Sequence, residues 1–171
     1  MSTSDGLTLR PWREGDAPAV VAAFAAPLME RQARGPIRTE EDALAWIAQW
    51  APLAEADAAY AFAVTDGEGA AVGHVCVSAV DRRHDTGWVS YWTSSAARGR
   101  GVASRATRAL ADWALTELGL HRLELGHRTD NPASCGVALA AGFQIEGLER
   151  AKLKYDGRRF DVELHARLAA P

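Results

Sequence analysis

A short stretch rich in glycine and arginine, Arg98-Gly99-Arg100-Gly101-Val102-Ala103, is the part of the chain best suited to bind a phosphate. It follows a strand-like run, residues 87–93, and opens a helix-like run that ends near Leu118. Backbone N–H groups at a helix start have no intrahelical partner, and the helix dipole adds about half a positive charge there. The stretch therefore predicts a phosphate or pyrophosphate site at a helix N-terminus.

Positive side chains concentrate around this loop although the chain as a whole is mildly acidic. The net charge is −3, yet Arg98, Arg100, Arg105 and Arg108 place four positive charges within eleven residues. This indicates a focused anion site and argues against a general nucleic-acid binder. Arg105 or Arg108 could reach a ribose phosphate, although exposed helix arginines are usually only solvated.

The bulk composition is that of a globular protein. A length of 171 residues fits one domain over 1–171, and 48% hydrophobic with 24% charged residues disfavours disorder. Because no apolar run approaches the ~18 residues of a membrane span and no signal peptide opens the chain, we expect a soluble, cytoplasmic protein. Cys76 and Cys135 fit no zinc or disulfide spacing, so we expect no metal site and treat both as core fillers.

The elements that must position the loop are predicted by hydrophobic periodicity and by capping and turn residues. The strands are Leu7–Arg10, Tyr60–Thr65, Ala71–Val80, Gly87–Thr93, Arg122–Gly126, Phe143–Lys154 and Arg159–Leu168. The helices run from Asp16 to Ala26, from a capping box at Thr39 and Asp42, from Val102 to Leu118, and from Asn131 to Gly142. This order, β-α-α-β-β-β-α-β-α-β-β, predicts an α+β domain with a mixed sheet and one parallel crossover.

Two familiar phosphate-binding loops do not fit the chain. A P-loop needs Gly-Lys-Ser/Thr at the helix start, and no such tripeptide follows Gly101. A dinucleotide-binding turn needs a third glycine or alanine where this chain has Ser104.

The ordered motifs resemble the GCN5-related N-acetyltransferase (GNAT) superfamily, whose loop reads Arg/Gln-x-x-Gly-x-Gly/Ala. The likeness spans nearly the whole chain and is similar to the RimJ/RimL branch, which acetylates protein N-terminal amines. It rests on Arg98–Ala103, His121–Leu125, Asn131–Ser134, Ala141–Phe143, Leu7–Trp12 and Tyr155–Arg158. The resemblance implies about seven strands in a mostly antiparallel sheet, splayed between the fourth and fifth strands, and about four helices.

The resemblance also implies acetyl-CoA as the cosubstrate and assigns residues to it. Backbone amides from Gly99 to Ser104 would hold the pyrophosphate, including those of Arg100, Gly101, Val102 and Ala103. The pantetheine arm would meet the backbone of Tyr91, Trp92 and Thr93. Asn131 matches a family position near the acetyl end, and it also has the sequence of a helix N-cap.

Two residues are the candidates for acid–base chemistry. Many relatives carry a tyrosine acid at the position of Ala138, so Ser134 is the substitute for protonating the leaving thiolate; a capping hydroxyl is the alternative. Glu124 matches the usual glutamate base and would act through water; a cross-strand ion pair is the alternative. His74 and His127 are weaker bases, because a lone strand histidine is more often structural. A covalent acyl-cysteine at Cys135 is not supported.

The reaction implied is direct acetyl transfer to a primary amine, with a protein N-terminus as the first choice of acceptor. The acceptor would lie between the Arg31–Arg38 loop and the Tyr155–Arg159 hairpin, whose basic residues are Lys152, Lys154, Arg158 and Arg159. A small-amine acetyltransferase and a CoA-binding sensor without turnover remain open. Relatives often form homodimers, so the resemblance allows that state.

Overall fold

The computed structural model describes residues 1, 6–27, 29–33 and 35–170. The helices are α1 (Ala17–Phe24), α2 (Glu40–Ala48), α3 (Trp50–Glu55), α4 (Val102–Thr116) and α5 (Pro132–Ala140). The strands are β1 (Thr8–Arg10), β2 (Tyr60–Thr65), β3 (Ala71–Asp81), β4 (Thr86–Thr93), β5 (Arg122–Arg128), β6 (Gln144–Tyr155) and β7 (Arg158–Leu168). Short 3-10 turns precede α1, α4 and the loop that leads to α2.

The seven strands form one sheet in the order β1-β2-β3-β4-β5-β7-β6. Strands β4 and β5 pair in parallel, and the other neighbours pair antiparallel. The parallel pair results from the crossover through α4, which returns the chain to the same end of the sheet. The predicted mixed, mostly antiparallel sheet is confirmed.

The sheet is open between β4 and β5. Their register covers only Thr86–Trp88 against Arg122–Glu124, whereas β4 continues to Thr93 and β5 to Arg128. The remaining residues of β4, 89–93, have no β5 partner in the part of the chain that the structure describes. The splay predicted between the fourth and fifth strands is therefore present, and it leaves one edge of β4 free to accept another chain of hydrogen-bonding groups.

Each face of the sheet buries a different core. On the side of α4 and α5, aliphatic residues alternate along the strands, and the largest fully buried side chain is Phe143. On the side of α1 and α2, Trp12, Trp46, Trp92 and Phe24 pack edge to face and tilted around His74. Because β4 contributes to both cores, its backbone is fixed from both sides before any ligand arrives.

Several predicted details are corrected by the structure. Helix α1 ends at Phe24 rather than Ala26, and Asp16 does not cap it because its carboxylate pairs with both terminal nitrogens of Arg10 at 2.7 Å. The capping box at Thr39 and Asp42 is present, but its helix is followed at once by a second one, α3. Cys76 is buried as predicted, whereas Cys135 is only half-buried and is not core filler.

Helices long and apolar enough to span a membrane are absent from the described ranges.

Candidate functional site

The loop before α4 has the backbone conformation of an anion-binding turn. Gly99 has φ +73° and Gly101 has φ +70°, both in the left-handed region that costs glycine little. Gly101 is the N-cap of α4 and supplies no side-chain cap, so the first-turn amides of Val102, Ala103 and Ser104 stay open to an external acceptor. A Cβ at either glycine would meet no atom of the described residues within 4 Å, so the structural preference for glycine here comes from φ.

The side chains around this loop contribute unequally. Val102 is 3% exposed and packs into the core, so that only its amide faces the loop. Arg98 and Arg100 are exposed, and Arg98 Nε donates to the carbonyl of Thr93 at 3.4 Å. Arg108 donates from Nε to the carbonyl of Ala140 at 3.1 Å, which ties α4 to the end of α5.

A cavity of about 610 Å³ lies in the splay, between the free edge of β4 and the start of α5. Tyr91 and Ser90 line it from β4, His127 and Arg128 from β5, and Ser134 from α5. Trp92 is 7% exposed and its ring belongs to the aromatic core on the other face, so its contribution here is backbone only. The splay thus creates a cleft bordered by an unpaired strand edge.

The N-terminus of α5 closes one end of this cleft. The Asn131 side chain accepts a hydrogen bond from the Ser134 amide at 3.2 Å, so Asn131 is the N-cap that its sequence predicted. The Ser134 hydroxyl is not used as a cap. It shares a 2.7 Å hydrogen bond with the hydroxyl of Tyr91, which also donates to the Ser134 carbonyl at 3.1 Å.

The Tyr91 hydroxyl is the group that sequence reasoning missed. Tyr91 was expected to contribute backbone, and a tyrosine acid was looked for at the position of Ala138, which is fully buried. Burial raises the pKa of Tyr91, and the hydrogen bond with Ser134 opposes part of that rise. At neutral pH this phenol is therefore a protonated donor beside Ser134. The sequence signal that the Tyr91 side chain faces α5 is its position two residues after the buried Val89 on β4, which places both side chains on the same face of the sheet.

Glu124 and Ser134 are not brought together by the fold. Glu124 accepts from Arg122 Nε at 2.7 Å, and the same guanidinium also pairs with Glu146. The Glu124 side chain is 42% exposed and lines a separate cavity of about 360 Å³. Because Trp88 and Gly126 border both cavities, the two sites are neighbours. Glu124 is therefore in an ion pair, but its partner Arg122 lies on the same strand and not across strands as predicted, and a route through water is required for any role as a base.

His74 is placed as a structural residue. It is 4% exposed, and its Nδ1 accepts from the indole Nε1 of Trp12 at 3.1 Å. Burial lowers the pKa of His74 to about 3, so the ring is neutral at physiological pH and is a poor proton acceptor. Its ring stacks on Trp92 with centroids 5.7 Å apart.

His127 and Cys135 lie in a different environment, on the α5 side of the sheet. His127 is 7% exposed, and its Nε2 is 2.9 Å from Nε2 of His165 on β7. Desolvation and the nearby Glu163 carboxylate raise the pKa of the Cys135 thiol. A thiol held in its protonated form is a poor nucleophile, which agrees with the expectation that no acyl-cysteine forms.

A second cavity, of about 370 Å³, lies on the side of the sheet that carries α2 and α3. Its wall includes Gly35, Pro36 and Ile37 from the loop predicted to border the acceptor; Arg34 of that loop lies outside the described residues. Gln32, Ser90 and Tyr91 line this cavity and also the cleft in the splay. The two cavities therefore meet at β4.

The Tyr155–Arg159 hairpin, which was also predicted to border the acceptor, carries fewer free charges than its sequence suggested. Lys152 Nζ pairs with Glu149 at 2.7 Å, and the Arg158 guanidinium lies 5.0 Å from the centroid of the Phe160 ring. Tyr155 lines the cleft in the splay. The hairpin thus borders the site mainly through an aromatic side chain.

The fold thus combines a left-handed glycine loop, a splayed parallel pair of strands and a hydroxyl pair at the start of the next helix. Residues 6–144 match the family described as "Acetyltransferase (GNAT) domain". The chain belongs to this GNAT family. The likeness to RimJ and RimL enzymes is confirmed by the relatives that follow.

Two bacterial proteins show how similar the sequence of this chain is to those of known acetyltransferases. The "Probable N-acetyltransferase YjcK" of Bacillus subtilis (strain 168) is 38% identical over 72 residues, which are 42% of this chain and 40% of that protein. The "Ribosomal-protein-serine acetyltransferase" of Escherichia coli (strain K12) is 33% identical over 98 residues, 57% of this chain and 54% of that protein. The matched stretches thus span only about half of these relatives' own lengths.

Among solved GNAT structures, RimJ of Mycobacterium smegmatis, in complex with a CoA disulfide, superimposes with a TM-score of 0.85. It is 26% identical and covers 96% of this chain and 83% of its own. The splayed seven-stranded sheet is therefore the GNAT fold in nearly its full extent.

Proposed function

We propose that the protein transfers the acetyl group of acetyl-CoA to a primary amine, with the N-terminal amine of a protein or peptide as acceptor. The observation that carries the proposal is the arrangement of three features around β4. The left-handed loop of Gly99 and Gly101 follows this strand in the chain, residues 89–93 of the strand have a free edge, and the Tyr91–Ser134 hydroxyl pair lies in the cleft at that edge. Acetyl-CoA needs a phosphate site for its pyrophosphate, an unpaired strand edge for its pantetheine arm and a proton donor near its thioester.

The loop and the strand edge would orient the cosubstrate. Amides from Gly99 to Ser104 are placed to hold the pyrophosphate, with charge added by Arg98 and Arg100. The backbone of Tyr91, Trp92 and Thr93 is placed to pair with the pantetheine arm, in the way that an added strand pairs with a sheet edge. An amide on this strand can polarise the thioester carbonyl as negative charge develops on its oxygen.

Acetyl transfer then proceeds by direct attack. The neutral amine forms a C–N bond to the carbonyl carbon, and collapse of the tetrahedral species breaks the C–S bond and releases the CoA thiolate. Ser134 can give its proton to that thiolate and take one from Tyr91, whose phenol is the more acidic of the two hydroxyls. The proton lost by the amine leaves through water, and Glu124 is our candidate to receive it.

Acceptor chemistry favours an α-amine. An α-amine has a pKa of about 7.7–8.0 and lysine about 10.4, so at neutral pH roughly a tenth of α-amines are already neutral. Such an acceptor needs little help from a base. This fits a site where the Glu124 carboxylate is already paired with the Arg122 guanidinium. The side chains of Trp50 and Trp92 line the cavity near α2, whereas their indole nitrogens are buried, so these residues offer the acceptor apolar surface.

Two alternatives differ from this proposal, one in the acceptor and one in turnover. A small polyamine or amino-glycoside as acceptor requires the same cleft and differs only in the cavity near α2. A CoA-binding sensor without turnover is kept open by the absence of the usual tyrosine at Ala138.

Release of free CoA thiol distinguishes these functions. The assay compares peptides with a free N-terminus, the same peptides with a blocked N-terminus and an internal lysine, and a panel of small amines. We expect release only with the free N-terminus. Release with small amines alone would replace the peptide acceptor, and acetyl-CoA binding without release would support the sensor. If saturating acetyl-CoA does not raise Tm, the cosubstrate proposal itself is wrong.

A further inference from the structure

Four side chains with metal-binding atoms converge between β5, β7 and α5. His127, Cys135, Glu163 and His165 each contribute one such atom, and all four atoms lie within 4.8 Å of one another. His127 and His165 are 7% and 1% exposed, and the Glu163 side chain is 27% exposed. His127 also lines the cleft in the splay and Cys135 follows Ser134, so the cluster borders the proposed site of acetyl transfer.

The sheet register creates this convergence. Leu125 pairs with His165 and His127 pairs with Glu163, so that both histidines and the glutamate project from adjacent positions on one face. Helix α5 crosses that face and presents Cys135 in its first turn. The Cys135 thiol hydrogen-bonds the Glu163 carboxylate, which completes the ring of four groups.

The separations are close to those of a tetrahedral site. Nε2 of His127 and Nε2 of His165 are 2.9 Å apart, and Oε1 of Glu163 lies 3.0 Å from His165 Nε2 and 3.3 Å from His127 Nε2. Ligands at ordinary zinc bond lengths and tetrahedral angles are roughly 3.3–3.6 Å apart. Shifts of a few tenths of an ångström at these side chains would therefore admit the ion.

The tautomer of His127 also suits coordination. Its Nδ1 lies 2.9 Å from the backbone carbonyl of Arg128, which can only accept, so Nδ1 carries the proton. The lone pair of Nε2 then points into the cluster. A histidine that binds a metal commonly donates its other ring N–H to such a carbonyl, which fixes the ring and its tautomer.

We propose that His127, Cys135, Glu163 and His165 form a binding site for Zn²⁺. One thiolate, two imidazoles and one carboxylate suit a borderline-soft ion, whereas Mg²⁺ and Ca²⁺ select oxygen ligands. Binding would release the proton of the Cys135 thiol to solvent, and the resulting thiolate and the carboxylate balance the charge of the ion. Acetyl transfer in the GNAT family needs no metal, so the ion would act by clamping the first turn of α5, next to Ser134, to β5 and β7.

Zinc affinity measured by calorimetry on the tag-free, chelator-treated full chain tests the site. We expect one Zn²⁺ per chain and a weakening of at least about 100-fold in Cys135→Ser and Glu163→Gln. Cys76→Ala is the matched thiol control, since Cys76 is 1% exposed and alternates with Val75 and Val77 toward the other face. His84→Gln controls for binding by an exposed histidine. Equal affinity in the wild type and both cluster variants would overturn the proposal, as would no binding in the wild type.

A measurement on the unmodified protein guards against variants that fail to fold. Zn²⁺ should slow alkylation of Cys135 by iodoacetamide, and Co²⁺ should give the near-ultraviolet charge-transfer band of a thiolate–metal bond. Saturating Zn²⁺ should also raise Tm by on the order of 5 °C. Binding without thiol protection and without the Co²⁺ band would mean that the ion lies elsewhere, and the site would be rejected. None of these readouts depends on acetyl transfer, so they stand or fall separately from the proposed activity.

Discussion

Among single residues, Tyr91 and Ser134 carry most of the chemistry expected in the cleft. Neither hydroxyl is engaged in capping, and their 2.7 Å hydrogen bond crosses the gap between β4 and α5. A serine alone is a weak acid, but a serine that is reprotonated by a phenol can protonate a departing thiolate. The pair also explains how this chain can lack a tyrosine at Ala138 without losing a proton donor.

Removal of either hydroxyl should slow turnover without loss of the cosubstrate. We expect Ser134→Ala to lower kcat by about 100-fold or more, and Tyr91→Phe to lower it as well, because general acid catalysis contributes about 10²–10⁴-fold. Affinity for acetyl-CoA, measured by calorimetry, should change less than about threefold, since the variants leave the contacts that bind the cosubstrate in its ground state unchanged.

Because the two hydroxyls act as a unit, the double variant should be no slower than the slower single variant. Tyr60→Phe is the matched control, since its hydroxyl bonds Asp57 at 2.6 Å, away from the cleft. Strictly additive losses in kcat would show that the residues act independently.

At the scale of elements, the junction of the loop with α4 is where we propose that the cosubstrate pyrophosphate binds. Both ends of α4 carry a glycine with left-handed backbone, Gly101 with φ +70° at the start and Gly119 with φ +73° after the end. An added Cβ would meet no protein atom within 4 Å at either position. A substitution should therefore strain the backbone equally at the two glycines, but only Gly101 lies at the proposed phosphate site.

This symmetry provides a controlled test. Gly101→Val and Gly119→Val should each lower the free energy of unfolding by about 1–2 kcal/mol, because a β-branched residue is strained at positive φ. Only Gly101→Val should abolish the rise in Tm caused by acetyl-CoA, because its side chain would occupy the space in front of the α4 amides. A normal acetyl-CoA shift in folded Gly101→Val would place the phosphate site elsewhere.

Element positions were largely predictable, and their exceptions have local causes. Strand alternation, the Thr39–Asp42 capping box and Asn131-Pro132 all act within a few residues, and each is present in the structure. The expected Asp16 cap failed because Arg10, on a neighbouring strand, competes for the same carboxylate. The carboxylate also accepts from the backbone N–H of Arg13 at 2.9 Å, so it caps the 3-10 turn before α1 and pairs with Arg10 instead of capping α1.

For the molecule as a whole, the aromatic core around His74 makes stability depend on pH. His74 has a pKa of about 3 in the folded state because burial disfavours its charged form, against about 6.5 when exposed. On acidification the unfolded chain takes up this proton first. The stabilisation is therefore complete above pH ~6.5 and is lost progressively as pH falls toward about 3.

This linkage predicts a specific difference between variants. Between about pH 7.5 and about pH 5, the wild type should lose about 2 kcal/mol more unfolding free energy than His74→Asn, whose amide oxygen can still accept from Trp12. Urea denaturation at both pH values measures the difference, and carboxylates common to both proteins cancel. His84→Asn, at an exposed position, is the matched control. Equal losses in wild type and His74→Asn would contradict a buried neutral histidine.

The sequence by itself predicted a phosphate-binding loop, and its resemblance to the GNAT family implied acetyl-CoA as the donor. This loop could be interpreted without the tertiary structure because its glycines, its helix start and its arginines act through neighbouring residues in Arg98–Ala103. The tertiary structure decided which side chains meet. Tyr91 and Ser134 are 43 residues apart, and His127 and His165 are 38 apart. Strand register and helix crossing bring these groups together, and neither is encoded in any short stretch of sequence.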